Sequence, residues 1–142
     1  MKIFVVAVGK IREKSLRAVA DDYLARAAHY AKVSEVEVKS DAELERALPR
    51  ESTVVALDPA GQALKSREFA AQLERWGRRG KGDIAFVIGG AEGIPSSILD
   101  GAHARLSLSS LTLPHRLARV VLFEQLYRAF TILRGEPYAR ED

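Results

Sequence analysis

Three stretches of this 142-residue chain carry residue types suited to holding a small ligand. The first is Ile88-Gly89-Gly90-Ala91-Glu92-Gly93. Its glycines let the backbone approach a bound molecule closely. The loop lacks the Gly-x-Gly-x-x-Gly spacing of a dinucleotide fingerprint and the Gly-Lys-Ser/Thr ending of a triphosphatase loop. Backbone contact with a nucleoside-sized ligand is the stronger reading, beside that of a tight strand-to-helix turn. The second stretch runs from Leu106 to Pro114, where Ser107, Ser109, Ser110 and Thr112 alternate in part with Leu106, Leu108, Leu111 and Leu113. It reads either as an edge strand with one wet face or as a segment that folds over a ligand. No Gly-x-Ser-x-Gly elbow accompanies these serines, which argues against a serine nucleophile. The third stretch is the turn-forming run Leu57 to Gly61. His115 is the only histidine near these loops. Its ordinary pKa suits proton transfer, although a histidine beside a helix start is more often a structural hydrogen-bonding group. Three histidines and no cysteine give no metal-ligand spacing, so no metal site is expected.

The cationic residues form a second set. Arg75, Arg78, Arg79 and Lys81 sit close together, and Arg116, Arg119, Arg128, Arg134 and Arg140 lie in the last part of the chain. The formal charge of +3 and the pI of about 9.3 fit a mildly basic protein or one with an anionic partner such as RNA. The pattern from Arg116 to Leu133 predicts a long helix that is apolar nearly all round, with Ala118, Leu122, Phe123, Leu126, Ala129, Phe130 and Leu133 on one broad face. Such a helix is buried on several sides. In a chain of this size that implies a homodimer with the helix in the interface, the alternative being a central core helix in a monomer. Arg119 and Arg128 are costly in that setting unless they meet an anion.

The elements that position these residues follow from the spacing of apolar side chains. Continuous or alternating β-branched runs predict strands at Ile3 to Val8, Val33 to Val38, Thr53 to Leu57, Ile84 to Ile88 and Ala104 to Leu108. Apolar residues at three- and four-residue steps predict helices from Glu13 to His29, from a Ser40 capping box to before Pro49, from a Ser66 cap through Trp76, from Pro95 to about Asp100, and from Arg116 to Leu133. Strict alternation of strand and helix implies an α/β fold, with a mainly parallel sheet and helices on both faces. Ligands gather outside the carboxyl ends of the strands in such sheets. The three loops leave such ends, so neighbouring strands would bring them into one pocket.

The composition sets outer limits. The expectation is a single domain over residues 1–142, with ordinary apolar and charged fractions. The absence of cysteine rules out disulfides and thiolate metal sites. The apolar run Ile3 to Val8 is too short for a signal peptide or a membrane span, so a cytoplasmic protein without membrane contact is expected.

Val87-Ile-Gly-Gly-Ala-Glu-Gly93, Leu106-Ser-Leu-Ser-Ser-Leu-Thr-Leu-Pro-His115 and Arg119-Val-Val-Leu-Phe-Glu-Gln-Leu-Tyr-Arg-Ala-Phe130 together resemble the ribosomal RNA large-subunit methyltransferase H family, of the SPOUT class. The resemblance extends over the whole chain, including Ala7-Val-Gly-Lys10 and the Leu57-Asp58 loop. It implies an α/β fold with a deep C-terminal trefoil knot, a homodimer, and S-adenosylmethionine as methyl donor. It places the cofactor contacts at Leu57, Gly89, Gly90, Leu108, Ser109, Ser110, Leu111, Thr112 and Leu113. It implies methylation at N3 of a pseudouridine in a stem-loop of large-subunit ribosomal RNA within the assembled ribosome. Arg128, Tyr138 and Arg140 would serve on the side of the RNA and target base, with Arg119 a further candidate for gripping phosphate. One position departs from the pattern. The family tail usually reads Pro-Tyr-His-Arg, and here it is Pro137-Tyr138-Ala139-Arg140. Two other readings follow: a non-catalytic ribosome-binding homologue, suggested by Ala139, and a SPOUT methyltransferase that acts on transfer RNA.

Overall fold

The computed structural model describes residues 1–140. Five strands, β1 (Lys2–Val8), β2 (Lys32–Val38), β3 (Thr53–Ala63), β4 (Ile84–Ile88) and β5 (Ala104–Ser107), form one sheet in the order β2-β1-β4-β3-β5. Every pairing is parallel. The crossovers are α1 (Lys14–Ala27), α2 (Asp41–Ala47), α3 (Ser66–Trp76) and α4 (Ser96–Gly101), and α5 (His115–Leu133) follows β5. A 3-10 turn, Pro137–Ala139, closes the described chain.

Alternation along the strands sorts the core into two layers. Ile3, Val5 and Ala7 of β1, with Ile84, Phe86 and Ile88 of β4, face α1, α3 and α5. Val6 and Val87 face the other way, against Leu44 of α2 and Ile98 of α4. β4 lies third in the order, and all five of its residues are buried. That is why its sequence is a continuous apolar run rather than an alternating one.

The expected elements all form, with three local differences. Helix α3 is capped one residue earlier than expected. The Glu68 carboxylate accepts from the Lys65 backbone N–H at 2.8 Å, and the Ser66 hydroxyl donates instead to Gln125 Oε1 of α5 at 2.8 Å. The Ser40 side chain makes no capping bond at α2, where Glu43 accepts from the Lys39 N–H at 2.7 Å. Strand β3 continues beyond the expected loop to Ala63. Leu57 and Gln62 both pair with Leu106, so Asp58 to Gly61 bulge out of the sheet and the strand then resumes. Gly61 permits this return, because a Cβ there would lie 2.7 Å from the Arg105 carbonyl carbon.

Helix α5 is buried on several sides, as its sequence suggested, and its cover comes largely from its own chain. Its buried residues, Leu122, Phe123, Leu126, Ala129 and Phe130 among them, join the layer made by α1, α3 and the sheet. Much of the all-round apolar surface is therefore covered within one chain. Leu117 and Leu133 remain exposed at 36% and 39%.

Candidate functional site

Strand order assembles the site. β4, β3 and β5 are neighbours, so the segments leaving their carboxyl ends meet. They enclose a cleft of about 560 Å³, within the ~300–1,000 Å³ usual for small-ligand sites. Leu57, Gly89, Gly90, Leu108, Ser109, Leu111, Thr112 and Leu113 all line it. Ser110 is exposed and lies outside the lining. Sequence reasoning did not single out Ile94, Leu99 and Ala118 as site residues, yet they form part of the wall. The packing of α4 places Leu99 there, that of α5 places Ala118, and the segment leading into α4 places Ile94; their residue types carry no signal of their own. Asp58 and Glu92 add carboxylates to the mostly apolar lining, and His115 lies at the start of α5.

The loops are shaped by backbone contact. A Cβ at Gly89 would lie 2.5 Å from the Gly93 carbonyl carbon, so glycine alone fits. Gly93 has φ +83°, and its N–H donates to the Gly90 carbonyl at 3.0 Å, closing the loop on itself. In the β3 excursion, Asp58 Oδ1 accepts from the Ala60 N–H at 3.0 Å, and Arg105 stands 3.8 Å from the carboxylate. The serine-rich stretch leaves the sheet after Ser107. The Ser107 hydroxyl donates to the Ser109 carbonyl at 3.0 Å, and Ser109 Oγ accepts from the Leu111 N–H at 2.9 Å. These bonds hold the segment as a folded loop over the cleft, not as an edge strand. Leu111, 77% exposed, stands at the mouth.

Arg119 does not reach outward, contrary to its expected phosphate contact. It is fully buried, and its guanidinium donates to Glu35 Oε2 at 2.9 Å and to Glu37 Oε2 on β2. It also donates to the Val8 and Gly9 carbonyls at 3.3 and 2.9 Å. The anion its burial demands is internal. Together with Arg116, whose Nε donates to the Lys10 carbonyl at 2.9 Å, it fixes the start of α5 to the end of β1.

The tail residues lie elsewhere. The Tyr138 hydroxyl donates to Glu124 Oε2 at 2.8 Å, and its ring packs edge-on against Tyr127 with centroids 4.5 Å apart. Burial and the Glu124 hydrogen bond push its phenol well above the ordinary tyrosine range. Arg128 donates to the same Glu124 carboxylate at 3.0 Å and lies over the Tyr138 ring at 5.0 Å. Glu124 thus organises both residues, and only its pairing with Arg128 was visible in the helix spacing. Ala139 is buried and Arg140 is exposed. From Ala118 at the cleft to Arg128 is about 15 Å of helix rise. Within one protomer the structure brings the cofactor candidates together but leaves the RNA-side candidates at a distance from them.

A parallel α/β sheet with a glycine- and leucine-walled cleft at its carboxyl edge defines a ligand-binding α/β architecture. Residues 1–139 match the family model described as predicted SPOUT methyltransferase, and the chain belongs to that family. It is 51% identical over 144 residues to a protein of Sorangium cellulosum named ribosomal RNA large subunit methyltransferase H, covering 98% of this chain and 99% of that one. A protein of the same name from Listeria monocytogenes is 42% identical over 157 residues, covering 97% and 99%. Among solved structures, the SpoU methyltransferase AviRb of Streptomyces viridochromogenes, in complex with the cofactor AdoMet, superposes with a TM-score of 0.51 at 12% identity. That alignment covers 93% of this chain and 61% of AviRb, and it speaks to the fold alone. The strand order and the return of α5 over β1 are consistent with the knotted crossing that the resemblance implies. No helix among the described residues is long and apolar enough to cross a membrane, and no cluster of possible metal ligands occurs among them.

Proposed function

We propose that the chain is an S-adenosylmethionine-dependent methyltransferase of large-subunit ribosomal RNA, working in the cytoplasm as a single domain over residues 1–142. The observation that carries this reading is the coincidence of one cleft with three loops of the family's motif. The residues present suit the donor. Leucine side chains and glycine backbone offer flat apolar walls to an adenosine, and Asp58 and Glu92 suit a donor with cationic sulfonium and amino groups. When bound, S-adenosylmethionine supplies an already activated methyl group. Contacts are assigned to Leu57, Gly89, Gly90, Leu108, Ser109, Leu111, Thr112 and Leu113, with Ser110 in the same loop but outside the lining.

The finer reading is transfer to N3 of a pseudouridine in a ribosomal stem-loop, within the assembled ribosome. The protein's main task is to position donor and acceptor, which alone lowers a bimolecular barrier by several kcal/mol. A proton must leave N3, and a base or a stabilised anion must receive its charge. Arg128, Tyr138 and Arg140 are assigned to that side. Glu124 holds Arg128 and Tyr138 in register, and the exposed Arg140 is free to meet RNA phosphate. The site is completed by a homodimer in which the tail of one protomer faces the cleft of its partner, which accommodates the separation of cleft and tail along α5.

The test is methyl transfer from labelled S-adenosylmethionine to ribosomes lacking the modification, with bulk transfer RNA as the parallel substrate. Label in large-subunit RNA at one pseudouridine is the expected result. Label in transfer RNA alone would move the assignment to the second SPOUT reading. Ribosome binding without transfer would identify a non-catalytic homologue, the reading that Ala139 suggests.

A further inference from the structure

All five strands are parallel, so their amino ends share one rim of the molecule, opposite the cleft. That rim is cationic. Lys2 and Lys32 are paired positions at the starts of β1 and β2. Arg50 precedes β3, and residues 74–83 carry Arg75, Arg78, Arg79 and Lys81 ahead of β4. The segments adjoin one another. Arg79 Nε donates to Thr53 Oγ1 at 3.4 Å, Gly80 lies against the Glu51 carbonyl, and the Met1 side chain lies against Gly77. The segments named carry seven cations and three carboxylates, Glu51, Glu74 and Asp83, an excess of four. The formal charge of the whole chain is +3, so the rest of the protein carries one more carboxylate than cations.

Pairing within the fold does not explain this set. Lys81 stands 3.6 Å from Asp83 and Arg78 2.9 Å from Glu74. Lys2, Lys32, Arg50 and Arg75 are exposed and have no ion-pair partner among the described residues. Favourable placement at a helix carboxyl end accounts for Arg75 in the last turn of α3. It does not account for lysines at two strand starts or an arginine in a loop. Side-by-side like charges on neighbouring strands weaken a sheet, and Lys2 and Lys32 are such a pair. His103, which sits beside Arg79, is held below the ordinary histidine range by burial and by that positive charge.

We propose that this rim is a second RNA-contact surface, gripping the phosphate backbone of folded ribosomal RNA about 20 Å from the cleft, a strand's length away. The proposal rests on the ribosomal substrate assigned above. A substrate as large as a ribosome surrounds a small enzyme on more than one side. Phosphate contacts of this kind set orientation and affinity without reading sequence. The rim therefore acts on how the enzyme seats, and the cleft on what it does.

The test is a quadruple variant, Lys2→Gln, Lys32→Gln, Arg50→Gln and Arg75→Gln, with a charge-retaining control in which Lys and Arg are exchanged at the same positions. Binding to ribosomes lacking the modification is measured against salt, methyl transfer against ribosome concentration, and S-adenosylmethionine binding by calorimetry. In the quadruple variant the log–log salt slope becomes shallower by about 0.7–0.9 per lost phosphate contact. Its KM for ribosomes rises at least about tenfold, while kcat at saturation and cofactor affinity stay at wild-type values and the control behaves as wild type. An unchanged slope and KM, or an equal defect in the control, overturns the proposal. Should the quadruple variant melt earlier than wild type, the single variants Lys32→Gln and Arg50→Gln carry the same comparison. If wild-type protein binds ribosomes but transfers no methyl group, the enzymatic reading falls, while the salt slope still decides the rim.

Discussion

Arg119 shows how far a single residue could be read. Its place on an apolar helix demanded a counter-anion, and that demand was legible. The partners were not, because Glu35 and Glu37 lie on β2, more than eighty positions away. Two carboxylates in an alternating strand look like a solvated face until the sheet order puts α5 against them. The buried cluster has a measurable consequence. Arg119→Met leaves Glu37 without its closest cation and removes one of two from Glu35, whose other partner is Arg17 at 2.6 Å. Breaking a buried pair costs about 3–5 kcal/mol, and the surviving Arg17 contact favours the lower end. Urea unfolding should show a lower midpoint at unchanged m value. Adding Glu35→Gln and Glu37→Gln to the same chain should recover a large part of the loss, since no unpaired charge then remains. Equal stability of wild type and the single variant would remove the cluster from the account of the fold.

At the scale of elements, periodicity located all five strands and five main helices, because each buries one face or one run of side chains. It missed the resumption of β3 after Gly61, which depends on a pairing with β5 and not on local residue type. It also missed how the tail docks. Beyond α5 the Tyr30 hydroxyl donates to Glu136 at 2.6 Å, and the Tyr30 ring stacks on Phe130. The Glu136 hydrogen bond, aided by burial, pushes the Tyr30 phenol up to about 12. The neutral phenol is thus favoured in the folded state. Its contribution is complete below the ordinary tyrosine value of about 10 and is lost as pH rises through about 12. Tyr138, raised by burial and Glu124, has the same sign. Alkaline difference absorbance should therefore show Tyr30 and Tyr138 ionising late. Glu136→Gln should return Tyr30 toward about 10 and leave Tyr138 late. Titration of Tyr30 at the ordinary value in the wild type would show that the tail is not held by this bond. At neutral pH both bonds are intact, so the tail is presented as one ordered piece.

The whole molecule raises a question that one protomer leaves open: what covers the rest of α5, and how cleft and tail meet. Periodicity showed a helix apolar nearly all round but could not divide its surface between chain and partner, because α1 and α3 compete for the same face. With those helices in place, Leu117 and Leu133 are what the helix still exposes, and Leu117 lies in the same turn as the cleft residues His115 and Ala118. A partner seated over that end of α5 would bury Leu117 and could set its own Tyr138 and Arg140 beside the cleft. The proposed homodimer is then both a packing solution and a requirement for transfer. Sedimentation at micromolar concentration should give twice the 15.6 kDa chain mass. Burial of a leucine is worth about 1.5–3 kcal/mol, so Leu117→Glu should weaken the dimer at least about tenfold. The resulting monomer should remain folded, keep the cleft, and lose methyl transfer in proportion to the loss of dimer. A wild-type chain that sediments as a monomer and still transfers methyl groups would sink both the dimer and the shared site, and would return Arg128, Tyr138 and Arg140 to a role in RNA binding alone.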